Sequence, residues 1–273
     1  LGLSPELLSA LQSLGFTNPT AVQAKAIPLA MPPKDAGQTT DLLVSSQTGS
    51  GKTVAFLLPV LHRMLQARQQ KALQEAQEWA QKLEQAQAEG VAPPKKPRRK
   101  NPTDPRHIKP AQPTALVLCP TRELADQVSR EIRRLAAFIP NVKVLTLCGG
   151  VPRRTHINSL THEPHIAVGT PGRILDLLKK KALSLTALKV LVLDEADRML
   201  DMGFAEAIED IVSYAPTQRQ TLMFSATMPD PIRQFSRQFQ KTPLDVTIKS
   251  EVDEILIDQY FYEVDAAEKM TAL

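Results

Sequence analysis

The 273-residue chain has only two cysteines, Cys119 and Cys148, each closing an apolar run that reads as a buried strand. Thiols so few and so placed predict reduced core side chains in a cytoplasmic setting, and argue against a disulfide or zinc framework. Long apolar runs are also missing: the longest, around Ala55–Leu61, already contains Pro59. A spanning helix needs about 20 apolar residues, so no membrane segment is expected. The first residues lack the basic-then-apolar order of a secretion signal. Hydrophobicity itself is not short. At 42% apolar residues the chain can bury a core, which excludes a wholly disordered protein. At about 150 residues per domain, its length suggests one large domain or two small ones.

Positive charge is missing from most of the chain despite a net +4. Lys95, Lys96, Arg98, Arg99, Lys100, Arg106 and Lys109 stand against the single acid Asp104, a local +6 that leaves everything else at −2. The body therefore lacks the uniform basicity that attracts polyanions, and any nucleic-acid contact there must come from specific sites.

Short Val/Leu/Ile-rich runs alternate with segments of helical period. The runs Leu42–Ser45, Ala115–Cys119, Val142–Leu147, Ile166–Gly169, Val190–Asp194, Thr221–Ser225 and Leu244–Ile248 are nearly continuous in apolar residues, as strands buried on both faces should be. With helices between them they predict an α/β fold, an open and mostly parallel sheet flanked by helices. One region departs from the pattern. From Gln66 to Glu89, 18 of 24 residues are Ala, Gln or Glu, with Leu73, Ala76, Ala80 and Leu83 at helical spacing. This composition should prolong the preceding helix to Gly90, either straight or kinked at Pro59 with part of it folding back through those four residues. Seven prolines then fall between Pro93 and Pro113, interleaved with the basic cluster, which reads as an extended linker. Residues 66–113 thus form an insertion that could be a plain solvated protrusion or an accessory contact for RNA or a protein partner.

Two motifs carry chemistry. Ser46-Gln47-Thr48-Gly49-Ser50-Gly51-Lys52-Thr53 lies directly after a strand and opens a helix. That is the setting of a phosphate-cradling P-loop, where glycines let backbone N–H groups face phosphates and the helix N-terminus adds positive potential. Lys52 is expected to reach the β/γ-phosphates and the Thr53 hydroxyl to bind Mg²⁺, with Ser46 standing where the strict pattern has Gly. The second motif, Asp194-Glu195-Ala196-Asp197, ends the apolar strand Val190–Leu193. Carboxylates at that end of a parallel strand face the ligand crevice. Asp194 is expected to hold Mg²⁺, partly through water, and Glu195 to orient and deprotonate an attacking water. His156, His162 and His165 fall on different elements without a ligand-spaced Cys pair, so no metal site is expected from them. Trp79 is expected to pack rather than to stack on a base.

Together with five further segments these motifs resemble the first RecA-like lobe of the DEAD-box RNA helicases, nearest in feel to the bacterial RhlE-like branch. The segments are Gly15-Phe16-Thr17-Asn18-Pro19-Thr20-Ala21-Val22-Gln23, Pro120-Thr121-Arg122-Glu123-Leu124-Ala125, Gly149-Gly150, Thr170-Pro171-Gly172-Arg173 and Ser225-Ala226-Thr227, in the family's order. The resemblance implies that Gln23 reads adenine with paired hydrogen bonds and that Phe16 packs near the base. ATP is then the expected nucleotide, and no Asn-Lys-x-Asp guanine signature occurs. It implies that Pro120, Thr121, Arg122, Gly150, Thr170, Pro171, Gly172 and Arg173 grip RNA through its backbone, independent of sequence. Asp197, Ser225 and Thr227 would couple nucleotide state to RNA.

The family's arginine-finger segment, His-Arg-x-Gly-Arg-x-Gly-Arg, is not found in this sequence, and Ile257–Val264 resembles the first strand of the second lobe. The expected layout is a nucleotide-binding lobe over residues 1–255 and, over 256–273, an interlobe linker with the start of a second lobe. The implied activity is that of an ATP-dependent RNA helicase separating short duplexes, nearly inactive as an isolated lobe. An ATP-dependent RNA clamp or assembly platform, and a DNA-directed helicase, remain open alternatives at this point.

Overall fold

Strands supply the frame. The computed structural model describes residues 2–32, 39–89, 91–92, 110–162 and 164–248. Among them seven strands form one sheet: β1 (Leu42–Ser45), β2 (Ala115–Leu118), β3 (Val144–Leu147), β4 (Ile166–Gly169), β5 (Val190–Leu193), β6 (Gln220–Ser225) and β7 (Leu244–Thr247). Their order is β3-β4-β2-β5-β6-β1-β7, and every pairing is parallel. All seven predicted strands are present, and the sheet is wholly rather than mostly parallel among the described residues.

Helices cover both faces, as a parallel sheet requires. The side-chain alternation of each strand shows how. Leu42 and Val44, Val117, Val190 and Val192, and Leu222 and Phe224 enter one core cluster with α1 (Pro5–Ser13), α2 (Ala21–Ala30), α3 (Lys52–Ala88) and α4 (Arg122–Leu135). Leu43, Leu116 and Leu118, Leu191 and Leu193, and Met223 enter the other. That face packs against α6 (Pro171–Lys179), α7 (Ala196–Asp201), α8 (Ala205–Ser213) and α9 (Asp230–Phe239), with Leu160 of α5 (Arg153–Leu160) at its margin.

The N-terminal edge of the sheet is closed by polar groups that satisfy one another. Asp41 accepts from the N–H groups of Thr221 and Lys241, both at 2.7 Å. The buried Gln240 amide donates to the carbonyls of Leu42 and Thr221, both at 2.8 Å. Such buried groups are tolerated because each carbonyl and N–H finds a partner.

The predicted prolongation of α3 is present: 37 residues, about 55 Å at 1.5 Å per residue. Its buried residues run from Lys52 to Leu65, and none is buried after that. Of the two arrangements, folding back through Leu73, Ala76 and Ala80 is not the one seen; all three are exposed, Leu73 at 64%, while Leu83 is half-buried. One leucine among alanines offers too little area to hold a turn of helix down. Arg68, at the point of departure, donates to the Pro140 carbonyl at 2.8 Å. The basic cluster 95–109 and the segment 256–273 lie outside the described residues.

A candidate nucleotide site at the carboxyl edge of the sheet

Because all strands run one way, the loops that follow them share one edge, and the predicted residues collect there. After β1 the chain turns through Gly49 (φ 80°) and Gly51 (φ 94°), both left-handed, and enters α3 at Lys52. Glycine at position 51 is needed for a second reason. A Cβ there would lie 2.5 Å from Gln23 Nε2 and 3.0 Å from Thr20 Oγ1, so the start of α2 rests directly on the loop. Lys52 is 6% exposed and donates from Nζ to the Ser46 carbonyl at 2.5 Å. Ser46, the departure from the strict pattern, uses its hydroxyl as well, in a hydrogen bond with Ser50; Ser50 also donates to the Gln47 carbonyl at 2.7 Å.

Burial lowers the Lys52 pKa, opposed by the charges of Asp194, Asp197 and Glu195. Asp194, at the end of β5, is pushed up to about 7 by burial and by Glu195, against the pull of Lys52. A carboxylate held in that condition is short of positive charge. Among the described residues no group of three His, Cys, Asp or Glu could hold a resident metal ion. Asp194 with the Thr53 hydroxyl instead suits a hard cation that arrives with phosphates and keeps most of its water.

Glu195 adopts φ 53°, ψ 54°, a left-handed conformation rare for a non-glycine residue, and its Oε2 lies 3.3 Å from Arg198 Nη1. Asp197 is tied to the loop after β6: its Oδ2 accepts from the N–H groups of Ala226 (3.1 Å) and Thr227 (2.9 Å) and from Thr227 Oγ1 (2.9 Å). Burial works to raise this carboxyl, but the Thr227 bonds outweigh it and hold it below the usual range. The Ser225 hydroxyl is buried with no partner at full hydrogen-bond geometry, yet it faces Asp197 closely enough to help lower that carboxyl.

Gln23 is fixed at both ends. Its Oε1 accepts from Thr20 N at 3.1 Å as half of a capping box, and its Nε2 donates to the Gly51 carbonyl at 3.1 Å. An amide has two donors and two acceptor lone pairs, so one of each remains for a ligand, in a fixed orientation. Phe16, 39% exposed, lines a cavity of about 550 Å³ with Gln23, Val54, Leu58 and Leu11. The capping role of Thr20 was not anticipated, although Thr-x-x-Gln is its sequence signature.

The remaining predicted residues sit at the ends of β2, β3 and β4. Pro120 is buried, Thr121 caps α4 by accepting from Leu124 N (3.4 Å), and Arg122 is exposed beside Asp126. Gly150 (φ 78°) abuts this arginine: a Cβ there would be 3.1 Å from Arg122 Nη1. Thr170 stands at the N-cap position of α6 without a side-chain cap, Pro171 and Gly172 form its first turn, and Arg173 donates to the Val151 carbonyl at 2.9 Å while touching His156 Nδ1 at 2.6 Å. The three histidines separate as expected. His162 sits on an exposed turn beside Thr161, and His165 accepts from Lys143 N. Both cysteines are free and buried.

The chain matches the DEAD/DEAH box helicase family over residues 20–235. It is 44% identical over 271 residues to the ATP-dependent RNA helicase DbpA of Escherichia coli (strain K12), covering 99% of this chain and 49% of that protein. To the DEAD-box ATP-dependent RNA helicase CshA of Geobacillus kaustophilus (strain HTA426) it is 38% identical, covering 100% of this chain and 48% of the relative. A solved DEAD box protein from the hyperthermophile Methanococcus jannaschii superposes with a TM-score of 0.68 at 30% identity, over 100% of this chain and 60% of that one. The chain thus spans about half the length of the curated relatives it matches.

Proposed function

Because the chain belongs to the DEAD/DEAH box helicase family, we propose that it is the ATP- and RNA-binding lobe of an ATP-dependent RNA helicase, working against a second RecA-like lobe. The observation that carries this reading is the gathering of charge behind the phosphate loop: Lys52 is buried within the electrostatic influence of Asp194, Asp197 and Glu195, and Asp197 grips the Ala226–Thr227 backbone. Phosphate chemistry at one end of that set would be felt by the loop at the other.

Lys52 and the N–H groups of Gln47 to Thr53 would receive the β- and γ-phosphates. Thr53 and Asp194 would hold Mg²⁺, which supplies charge neutralisation at the phosphates. Glu195 would hold the attacking water and take its proton. The arginine-finger motif is not in this sequence; such residues are worth roughly 10³–10⁵ in rate, so hydrolysis by this chain alone should be slow. Arg122, Gly150 and the Thr170–Arg173 turn would meet RNA phosphates, contacts that position a strand without reading it. Bacterial relatives that match include DbpA and CshA, which supports the family without singling out the RhlE-like branch, and a cytoplasmic bacterial RNA helicase is the reading we favour. No described helix is long and apolar enough to cross a membrane. The insertion 66–113 is proposed as an accessory contact for RNA or a protein.

Nucleotide choice tests the reading. Gln23 offers one donor and one acceptor to a base edge, so ADP should bind at least about tenfold more tightly than GDP, and Gln23→Ala should erase the difference. Equal affinities of the unaltered chain in calorimetry would remove Gln23 from that role.

A further inference from the structure

We propose that His156 is a positioning residue for Arg173: the unprotonated Nδ1 of the imidazole holds the guanidinium in place between the loops after β3 and β4, and a proton on that nitrogen releases it. The proposal rests on the reading of Arg173 as a contact for RNA phosphate.

The geometry is specific. Arg173 Nη1 lies 2.6 Å from His156 Nδ1 and donates to the Val151 carbonyl at 2.9 Å. His156 is 6% exposed on α5, whereas Arg173 is half-exposed in the first turns of α6. A guanidinium has donors and no acceptor, so this contact exists only while Nδ1 carries a lone pair and the ring is neutral. The loss of that lone pair on protonation would also set two cations side by side.

The surroundings favour the neutral ring. Burial first, then the Arg173 charge, lowers the His156 pKa. The other charged groups nearby are spoken for or lie farther from the ring. Arg153, on the same helix as His156, pairs with Asp176 of α6 at 2.7 Å. Arg122 and Asp126 of α4 pair loosely at 3.8 Å and act on Cys148 at the end of β3, whose thiol burial pushes up to about 11. Arg154, also on α5, is exposed. Among the described residues Arg173 is thus the cation that meets the ring.

A pre-set arginine loses less side-chain freedom on meeting a phosphate, so releasing it should weaken RNA binding by about 3- to 10-fold. The test uses this chain with a fluorescent oligouridine at constant ionic strength, titrated from acid to mildly alkaline pH. His156→Asn places an amide oxygen near the Nδ1 position and does not titrate; His156→Leu removes the acceptor. The expected result at neutral pH is weaker RNA binding for His156→Leu and near-normal binding for His156→Asn, with ADP affinity unchanged in both. On acidification below the ordinary histidine range, the unaltered chain should lose affinity relative to His156→Asn. Parallel pH profiles for those two proteins would overturn the proposal, as would normal RNA binding by His156→Leu where Arg173→Ala weakens it.

A second readout separates this from the RNA reading. Nitrogen NMR of the imidazole, without RNA, should show Nδ1 unprotonated at neutral pH and the His156 pKa rising in Arg173→Ala. No change in that titration overturns the contact itself. A shifted titration with unchanged RNA affinity in Arg173→Ala upholds the positioning and removes the RNA grip.

Discussion

Helix α3 is one uninterrupted element with two different reasons to exist. Up to Leu65 it is buried, and its sequence is a mediocre helix former, with Val54, Pro59 and Val60 in its interior. Packing of Phe56, Leu57 and Leu61 against the sheet overrides those costs. From Gln66 onward nothing is buried, and Ala, Gln, Glu and Leu supply the propensity that packing does not. Isolated helices of that length are marginal in water, so the distal half depends on the proximal half as a ready-made nucleus. The catalytic candidates Lys52 and Thr53 open the half that tertiary structure holds rigid.

The comparison can be broken most directly through stability. Phe56→Ala should cost about 3–5 kcal/mol in urea unfolding, because Phe56 is fully buried against Phe224. Leu73→Ala, on the exposed half, should stay within about 0.5 kcal/mol. Similar values for the two would mean that the distal half is held by contacts as the proximal half is. Next in size is Lys52→Ala, expected to lower ADP affinity by about 100-fold or more while moving the urea midpoint far less than Phe56→Ala does. A sharper probe is the double change Ala76→Gly and Ala80→Gly, each worth about 1 kcal/mol of local helix stability. Far-ultraviolet circular dichroism should show lost helix, with the unfolding midpoint and ADP affinity unmoved; a falling midpoint would join the two halves into one cooperative unit. The smallest effect belongs to the basic cluster. Replacing Lys95, Lys96, Arg98, Arg99 and Lys100 with Ser should weaken RNA binding a few-fold and flatten its salt dependence by at most about 0.7 per residue. An unchanged salt slope would leave a protein contact or a solvated linker as the better account of 93–109.

The same contrast explains what could be read from the sequence. Six of the seven strand positions were legible to within one residue, chiefly because burial of the central strands on both faces writes itself as Val/Leu/Ile runs. The exception, Val142–Leu147, starts two residues late: the N–H of Lys143 is diverted to the His165 ring, a partner 22 residues away. The placement of β6 between β1 and β5 has no local signature, since it depends on crossovers that no short window contains. The phosphate loop was legible because its backbone geometry demands Gly49 and Gly51. The closure of Gln23 onto Gly51 and of Arg173 onto His156 was not, because both are contacts across elements. The folding back of the distal helix was read from spacing alone, and spacing does not report how much area Leu and Ala can bury.

Glu195 carries a consequence of another kind. Its left-handed backbone costs a residue with a Cβ about 1–2 kcal/mol, which glycine would not incur. Selection for stability alone would drive this position toward glycine, and drift would carry it there readily. In the role proposed for it, Glu195 is a position where activity and stability compete. Libraries of this chain screened only for heat resistance should therefore enrich Glu195→Gly, with the thermal midpoint of the recovered variants as the check.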